Sequence, residues 1–213
     1  MKSVLFSLVG VVILLVGCGM NEEMSLNTEG ISLPDGSVYS GGIENGLFEG
    51  QGKLVWRDGS KYVGHFSNGL MHGYGEHTER NSIVHKGNYY KGLANGSGEL
   101  LYPNNDRYTG EFKDGMFHGI GKFEYSDGTL FEGRYVDGVR VGKGVFRYLN
   151  GDIYQGMFAD DLPNGTGKIT RANGDTYEGG FQHGEFHGKG KYIYKNEGVV
   201  LEGDFVNGEF IQE

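Results

Sequence analysis

Histidines are the residues of this sequence whose chemistry first suggests a metal site. Three of them, His72, His118 and His187, recur at the same place of a repeated phrase, in its second, fourth and seventh copies. If each copy supplies two strands, the nearest two lie about four strands, or ~19 Å, apart. Zinc ligands lie only ~2 Å from the metal, so these three do not form one site. A local pair of His77 with His72 or His85 stays open, and solvated surface histidine is the simpler interpretation.

No residue pattern marks a catalytic centre. The sequence has no G-x-S-x-G elbow, and its Gly-x-Gly pairs precede expected strands, whereas a dinucleotide fingerprint needs a following helix. A carboxylate pair for glycoside hydrolysis is the remaining enzymatic alternative, and no spacing marks one. The sequence therefore predicts no enzyme and no catalytic, cofactor-binding or metal-binding residue.

The single cysteine, Cys18, follows an apolar N-terminal segment that begins with Lys2. The apolar run is shorter than the ~20 residues that a membrane span needs, which favours a cleaved signal peptide over residues 1–17. Leu15-Val16-Gly17-Cys18 resembles a bacterial lipobox, in which the cysteine receives a diacylglyceryl group. The resemblance implies lipid attachment at Cys18; an ordinary signal peptide with an incidental thiol is the alternative.

The segment after the cysteine, residues 18–31, is short, polar and acidic and shows no sustained periodicity. We interpret it as a flexible tether. Two acyl chains hold a protein stably on a bilayer, so a diacylglyceryl group suffices as the anchor. Gly19 replaces the aspartate that retains many such lipoproteins in the inner membrane, and the resemblance therefore implies an outer-membrane location if the host has one.

The net charge restricts the partners. The chain carries a formal charge of −9, and removal of Lys2 with the signal peptide makes it −10. Nucleic acid binding requires a basic surface and is disfavoured. Direct capture of anionic lipid headgroups is disfavoured for the same reason.

The rest of the chain repeats one 23-residue phrase, best seen from Tyr108 to Leu130. Its third position is glycine, its fifth is usually aromatic, and a Gly-x-Gly and a further aromatic follow. Seven copies begin at Tyr39, Tyr62, His85, Tyr108, Phe131, Tyr154 and Tyr177, and a truncated eighth begins at Leu201.

This phrase, Y-x-G-x-F-x-x-G-x-x-H-G-x-G-x-x-x-Y-x-x-G, resembles the MORN repeat (membrane occupation and recognition nexus). Together with the lipobox, it makes the chain similar to bacterial MORN-repeat lipoproteins. The resemblance implies a repeat domain over residues 32–213, with seven full repeats and partial ends. It implies association with membranes, but not the activity of a lipid kinase.

Two series of turn dipeptides separate the expected strands. Asp35-Gly36 opens one series and Asn45-Gly46 the other, and the composition of both favours two-residue type I′ hairpins. Between turns the period is two, so that Tyr108, Gly110 and Phe112 face one way. We expect one face of rings and glycines, with the glycines making room for the rings, and one charged face.

The sequence therefore predicts an all-β, elongated single-layer antiparallel sheet of consecutive hairpins, organised like a solenoid. Three copies depart from the phrase and are the places where a functional patch would lie. The second contains His77, Glu79, Ser82 and His85; the sixth contains Asp161, Pro163 and Arg171; the seventh has one extra residue at Asn196-Glu197-Gly198. Drift in a tolerant repeat is the alternative.

These observations predict a membrane-anchored, non-enzymatic scaffold or protein-interaction module of the bacterial cell envelope. Its partner is an unidentified envelope protein. A glycan- or lipid-binding module with exposed aromatic rings is the alternative, and openness of the aromatic face distinguishes the two. The C-terminal edge around Phe205, Phe210 and Ile211 leaves apolar surface beside unpaired backbone, which together with end-to-end dimerisation of MORN proteins favours a homodimer. Repulsion between Glu209 and Glu213 of two copies favours a monomer.

Overall fold

A computed structural model describes residues 30–212 of the chain. Every regular element in this range is a β-strand, which confirms the predicted all-β fold class. A helix of the length and apolar character needed to span a membrane is not found within it. Cys18, the predicted signal peptide and most of the predicted tether lie outside the described residues.

The strands alternate between short and long within each repeat. The first seven are β1 Ile31–Ser32, β2 Val38–Glu44, β3 Leu47–Val55, β4 Lys61–Ser67, β5 Leu70–Thr78, β6 Val84–Tyr90 and β7 Leu93–Leu101. The others are β8 Arg107–Lys113, β9 Met116–Glu124, β10 Leu130–Val136, β11 Val139–Arg147, β12 Ile153–Ala159, β13 Leu162–Thr170, β14 Thr176–Gln182, β15 Glu185–Tyr194, β16 Val199–Val206 and β17 Glu209–Phe210.

These strands are antiparallel, and the chain divides into two compact units. The N-terminal unit comprises residues 30–105 and 111–116, and the C-terminal unit comprises residues 106–110 and 117–212. In the N-terminal unit each strand from β1 to β7 pairs with the next one in the chain. In the C-terminal unit the same holds from β9 to β17, so consecutive hairpins are confirmed.

One series of reversals consists of tight two-residue turns. At Asn45 and Gly46 the φ angles are +51° and +78°, both in the left-handed region that a type I′ turn requires. The prediction for this series is confirmed. The same conformation occurs at Asn68-Gly69, Lys91-Gly92, Asp114-Gly115, Asp137-Gly138, Asp160-Asp161, His183-Gly184 and Asn207-Gly208.

The other series of reversals differs from the predicted type I′ turn. At Trp56 to Ser60, for example, the Gly59 N–H donates to the Trp56 carbonyl (3.0 Å) and the Trp56 N–H to the Ser60 carbonyl (2.9 Å), which makes a three-residue loop. Only Gly59 has a positive φ, +89°. Asp58 stays at negative φ because its Oδ1 there accepts the Ser60 N–H at 2.9 Å. The prediction of two-residue turns for this series was therefore wrong.

The recurring glycines do make room for aromatic rings. A Cβ built on Gly110 would lie 2.5 Å from the Tyr108 hydroxyl and 2.6 Å from the Cα of Gly121. The prediction is thus confirmed, with one refinement: the ring belongs to the residue two positions before the glycine on the same strand, and it reaches across Gly121 of the next strand. In the second repeat the hydroxyl of the equivalent Tyr62 donates a hydrogen bond to the His65 carbonyl at 3.0 Å.

The aromatic face is closed by its own packing. Six leading aromatics are completely buried, with 0 % exposure: Tyr39, Tyr62, Tyr108, Phe131, Tyr154 and Tyr177. Neighbouring rings meet them edge-on, as Phe181 does at Tyr154 with a centroid distance of 4.8 Å. Most ring faces in this row are therefore not available to a ligand.

The opposite face carries charged side chains that neutralise one another. In the C-terminal unit Lys168 pairs with Glu178 at 3.4 Å and Lys191 pairs with Glu202 at 2.8 Å, and Glu178 also lies directly opposite Lys191. Such exposed pairs contribute little to stability, but opposite charges across strands favour the observed register. A face of this kind has no excess of positive charge to attract anionic lipid.

Candidate interaction site

The second residue after each tight turn, here called the stacking position, decides how the aromatic face is filled. In the seven full repeats the residues at this position are Phe48, Met71, Ala94, Phe117, Arg140, Pro163 and Phe186, and Phe210 holds it in the truncated eighth. Its backbone is fixed from repeat to repeat, because its carbonyl accepts an N–H from the next tight turn, as between Gly184 and Pro163 at 2.8 Å. The side chains at this position therefore start from equivalent places.

Phenylalanine at the stacking position lies flat on the leading tyrosine of its own repeat. This happens in the first, fourth and seventh repeats, where the ring planes are 13° apart and the centroids 3.7 to 3.8 Å apart. The pairs are Tyr39 with Phe48, Tyr108 with Phe117, and Tyr177 with Phe186. In these repeats the space above the tyrosine is filled by a complete ring.

Arginine fills the same place in the fifth repeat. The Arg140 guanidinium lies 5.3 Å from the ring centroid of Phe131 and 5.2 Å from that of Phe146. Its Nε donates to Asp161 Oδ1 at 3.1 Å, and the side chain is only 13 % exposed. Asp161, which replaces a turn glycine and has a φ of +68°, is thus explained as the counter-charge of Arg140.

A double-mutant cycle on Arg140 and Asp161 tests this coupling. Asp161→Gly alone is expected to destabilise the protein by about 1 to 2 kcal/mol, because it leaves a largely buried guanidinium without its carboxylate. In the background of Arg140→Phe, the same Asp161→Gly change should be nearly neutral, because glycine relieves the left-handed backbone while the N–H of residue 140 loses the Asp161 Oδ1 that accepts it at 3.0 Å. Urea unfolding measures both steps. An equal effect of Asp161→Gly in the two backgrounds would show that the pair is uncoupled.

The sixth repeat leaves the space partly empty. Pro163 is smaller than phenylalanine, and a groove of about 510 Å³ opens beside it, although the Tyr154 ring itself is fully buried. We call it the sixth-repeat groove, defined by Tyr148, Tyr154, Pro163, Arg171, Phe181 and Phe186. Its volume lies within the range of ligand pockets, ~300 to 1,000 Å³.

Arg171 gives the sixth-repeat groove its polar side. It stands where most other repeats carry an aromatic residue, and its Nη1 donates to Asp152 Oδ2 at 2.7 Å. Burial alone would raise the pKa of Asp152, but the hydrogen bonds from Arg171 and from the Ala172 N–H outweigh it and hold that pKa below its usual value. Asp152 is buried, with a side chain 6 % exposed, whereas the Arg171 side chain is 40 % exposed. The groove therefore presents a guanidinium to solvent and keeps its carboxylate covered.

The mouth of the groove is apolar. Leu149, at the tip of the neighbouring three-residue loop, is 70 % exposed and lines the groove. The Arg171 guanidinium lies 6.0 Å from the ring centroid of Phe186. Aromatic rings, an exposed leucine and a half-exposed guanidinium that line one groove are features of a binding surface rather than of a reaction centre.

The second and seventh repeats depart from the phrase in other ways. His77 and His85 lie directly opposite each other on β5 and β6, and His85 is 1 % exposed, so the interpretation of these residues as surface histidines was wrong for His85. The loop with the extra residue in the seventh repeat has four residues, 195–198. The equivalent loops of the other repeats have three residues and not the predicted two.

The histidines show no metal geometry in the part of the chain that the structure describes. No group of three or more His, Cys, Asp and Glu side chains in residues 30–212 could hold a metal ion. His72 instead packs against the ring of Tyr90, with centroids 5.6 Å apart, and His118 Nδ1 lies 3.5 Å from Asp137 Oδ1.

Several features of the site have no clear signal in the sequence. Proline and arginine mark the sixth repeat as atypical, but the volume of the groove depends on the neighbouring rings Phe181 and Phe186. The stacked rings of the first, fourth and seventh repeats would have been found by comparing the stacking position across all copies.

The comparisons with known proteins agree with the repeat. A family profile described as "MORN repeat" matches residues 39–61, 62–78, 85–107, 108–130, 131–153, 154–176 and 177–199. A search of curated proteins finds no match.

Solved structures show more distant likenesses. The TCP10 domain of Danio rerio CPAP is 16 % identical with a TM-score of 0.46, and the match covers 82 % of each chain. The TCP domain of Drosophila melanogaster SAS-4, solved with a proline-rich motif of Ana2, is 13 % identical with a TM-score of 0.45, covering 90 % of this chain and 99 % of that one. From the seven matched repeats and the hairpin structure, the chain belongs to the MORN-repeat family.

Proposed function

We propose that this protein is a non-enzymatic interaction module of the bacterial cell envelope, anchored to a membrane through lipid on Cys18. Its sixth-repeat groove receives a segment of another envelope protein. The observation that carries the proposal is that the aromatic face is packed shut at its leading rings but opens into a groove of about 510 Å³ at Pro163 and Arg171.

The character of the two faces supports a protein partner. The charged face is neutralised by its own cross-strand pairs, such as Lys168 with Glu178, so it offers little to anionic lipid or to nucleic acid. The sixth-repeat groove combines aromatic walls, an arginine and an exposed leucine, a composition typical of the centres of protein interfaces. If the host has two membranes, Gly19 favours anchoring in the outer one.

A glycan-binding function is the second candidate, and one observation favours it. Tyr74 and Tyr90 are 66 % and 52 % exposed on the charged face of the N-terminal unit, and exposed rings can stack on sugars. The packed aromatic face argues against sugar binding at the leading rings.

Site-specific cross-linking tests the protein-partner proposal. A photoreactive amino acid replaces Leu149 at the groove, or Ile120, which is 60 % exposed and does not line it, as the matched control. After irradiation of cells that produce the full chain, we expect an envelope protein joined at position 149 and not at 120. Cross-linking at neither position, or the same products at both, would contradict the proposal.

The anchor predicts a clear fractionation result. Cys18→Ala removes the sulfur that accepts lipid, so the chain should either stay uncleaved after residue 17 or leave the membrane fraction. Immunoblots of membrane and soluble fractions, with metabolic labelling by a fatty acid, measure this. A variant that is still processed and firmly bound to the membrane would show that Cys18 is not the anchor.

Self-association through the C-terminal edge is a further part of the proposal. Phe205, which was predicted to leave apolar surface at this edge, is buried at 2 % exposure, so that part of the prediction was wrong. Val206 and Ile211 are 44 % and 45 % exposed beside β17, and apolar residues at a sheet edge favour pairing with another strand. We expect the chain to sediment as a dimer at high micromolar concentration. Ile211→Lys should shift it toward monomer, and a pure monomer before any substitution would refute the dimer.

A further inference from the structure

The fold itself shows what fits beside a leading tyrosine. In three repeats this place holds a phenylalanine ring, parallel to the tyrosine at 3.7 to 3.8 Å. In the fifth repeat it holds a guanidinium surrounded by phenylalanine rings. Met71 and Ala94 hold the position in the second and third repeats, so the place accepts several side chains, but flat aromatic or guanidinium groups fill it in four of the seven full repeats.

In the sixth repeat the residues around the stacking position resemble those of the other repeats, but the Pro163 side chain is too small to fill the space between them. Pro163 leaves a groove next to Phe181 and Phe186, while Tyr154 below is already covered. An added ring would therefore not stack on Tyr154 directly. It would pack on Pro163, in the space that the outer part of a phenylalanine ring would otherwise take.

Arg171 supplies the electrostatic complement. The face of an aromatic ring is negative and attracts a guanidinium placed over it. In the fifth repeat Arg140 lies over the rings of Phe131 and Phe146, at 5.3 and 5.2 Å, and is nearly buried. The Arg171 guanidinium lies 6.0 Å from the Phe186 ring centroid, its side chain also hydrogen-bonds to Tyr192, and it remains 40 % exposed. Because Asp152 already balances its charge, a neutral ring suits it better than a second carboxylate.

We propose that the sixth-repeat groove binds an aromatic side chain of the partner protein, packed between Pro163 and the Arg171 guanidinium. This inference rests on the proposed function and names the chemistry that its site recognises. Leu149 at the mouth contacts the backbone or apolar side chains that flank the aromatic residue. Phenylalanine, tyrosine and tryptophan fit the groove, and leucine lacks the ring face that the guanidinium attracts.

A fluorinated peptide tests this chemistry directly. The probe is a capped hexapeptide of glycine and serine with one 4-fluorophenylalanine, observed by fluorine NMR with the full chain in detergent and with detergent alone. The protein should broaden its signal. An unlabelled phenylalanine peptide should compete at least about tenfold more strongly than a leucine peptide, the difference expected for an aromatic in a fitted site. Equal competition by the two peptides would overturn the inference.

Two substitutions locate the binding. Pro163→Phe places a ring where three other repeats carry one, so it should fill the groove and weaken binding at least about tenfold without lowering the melting temperature. Met71→Phe makes the same change at the stacking position of the second repeat and should leave binding unchanged. Arg171→Lys keeps the charge but loses the planar group, and should weaken binding severalfold.

The outcomes separate this inference from the function on which it rests. If Pro163→Phe and Arg171→Lys both bind the probe as the original chain does, the inference is wrong. If the cross-link at position 149 also persists in Pro163→Phe, the groove receives a protein segment by other contacts and only the inference falls. If no cross-link forms at position 149 in the original chain, the proposed function itself fails.

Discussion

Gly110→Val is expected to destabilise the protein by about 3 kcal/mol, although valine has the higher strand propensity. A Cβ at residue 110 would lie 2.5 Å from the Tyr108 hydroxyl and 2.6 Å from the Cα of Gly121. The tyrosine is fully buried and cannot swing away, and a backbone Cα cannot be moved by a change of rotamer. Thermal unfolding should show a melting temperature lower by roughly 6 to 12 °C.

The eighth repeat provides a matched control for this prediction. Gly203 holds the same place in the phrase, but the leading residue there is Leu201 and no tyrosine ring lies over the glycine. A Cβ on Gly203 would meet only the edge of the Phe210 ring, at 3.1 Å, which can shift. Gly203→Val should therefore lower stability by less than about 1 kcal/mol. Equal losses at Gly110 and Gly203 would show that strand glycine, and not room for the ring, determines the effect.

The sequence predicts the arrangement of strands because each repeat contains the same strand and turn patterns. The alternation of Tyr108, Thr109 and Gly110 defines the two faces of the sheet. Asn45-Gly46 favours a type I′ turn, which requires positive φ at both residues. Each strand pairs with a neighbour in the chain, so no long-range pairing has to be guessed. The fold class follows from these local signals alone.

Turn type could not be predicted from the dipeptide alone. Asp58-Gly59 and Asp114-Gly115 have the same letters, yet Asp58 has negative φ and Asp114 has a φ of +50°. The difference comes from Ser60, whose N–H and hydroxyl both donate to Asp58 and hold the longer loop. A serine, threonine or aspartate directly after the glycine is the distinguishing signal.

The candidate site could be located from the sequence but not described. Pro163 and Arg171 stand out because they break the phrase, and both line the groove. That the break makes a cavity depends on how much of the space at the stacking position Pro163 leaves unfilled, which is a matter of volumes and not of residue pattern. In the fifth repeat a similar break, Arg140, is filled by a side chain that Asp161 and the surrounding rings hold in place at 13 % exposure.

In the third repeat a histidine replaces the leading tyrosine, and a tyrosine stands at the fifth position. Most repeats begin with tyrosine and carry phenylalanine at the fifth position, as Tyr62 and Phe66 do, whereas here His85 leads and Tyr89 follows. His85 Nδ1 lies 2.5 Å from the Tyr89 hydroxyl, and the imidazole packs edge-on against Phe112 with centroids 4.6 Å apart. Burial, and secondarily the neighbouring His77, lowers the pKa of His85 to about 4. The fold thus requires a neutral imidazole.

Acid should therefore unfold the protein in a way that depends on this residue. The pKa of His85 is about 4 in the folded state and 6.5 by its ordinary value, so between these the unfolded chain takes up a proton that the folded chain excludes. The contribution of neutral His85 to the free energy of unfolding is fully present above pH 6.5. It is lost as the pH drops toward 4, by about 3 kcal/mol for a shift of this size. His77, whose pKa burial also lowers to about 4, acts in the same direction. Glu79 opposes them, because burial raises its pKa.

The double variant His85→Tyr with Tyr89→Phe tests this account, because it recreates the pattern of the second, fourth, sixth and seventh repeats. Its new tyrosine should donate to the carbonyl of residue 88, as Tyr62 does to His65 at 3.0 Å, and so remain folded without an ionisable ring. Urea unfolding from pH 7.5 to 4.5 should show a smaller acid loss than the original chain. His183→Asn, at an exposed tight turn with a φ of +50°, should leave that loss unchanged. If the double variant loses as much stability in acid as the original chain, His85 is not the group whose protonation unfolds the sheet.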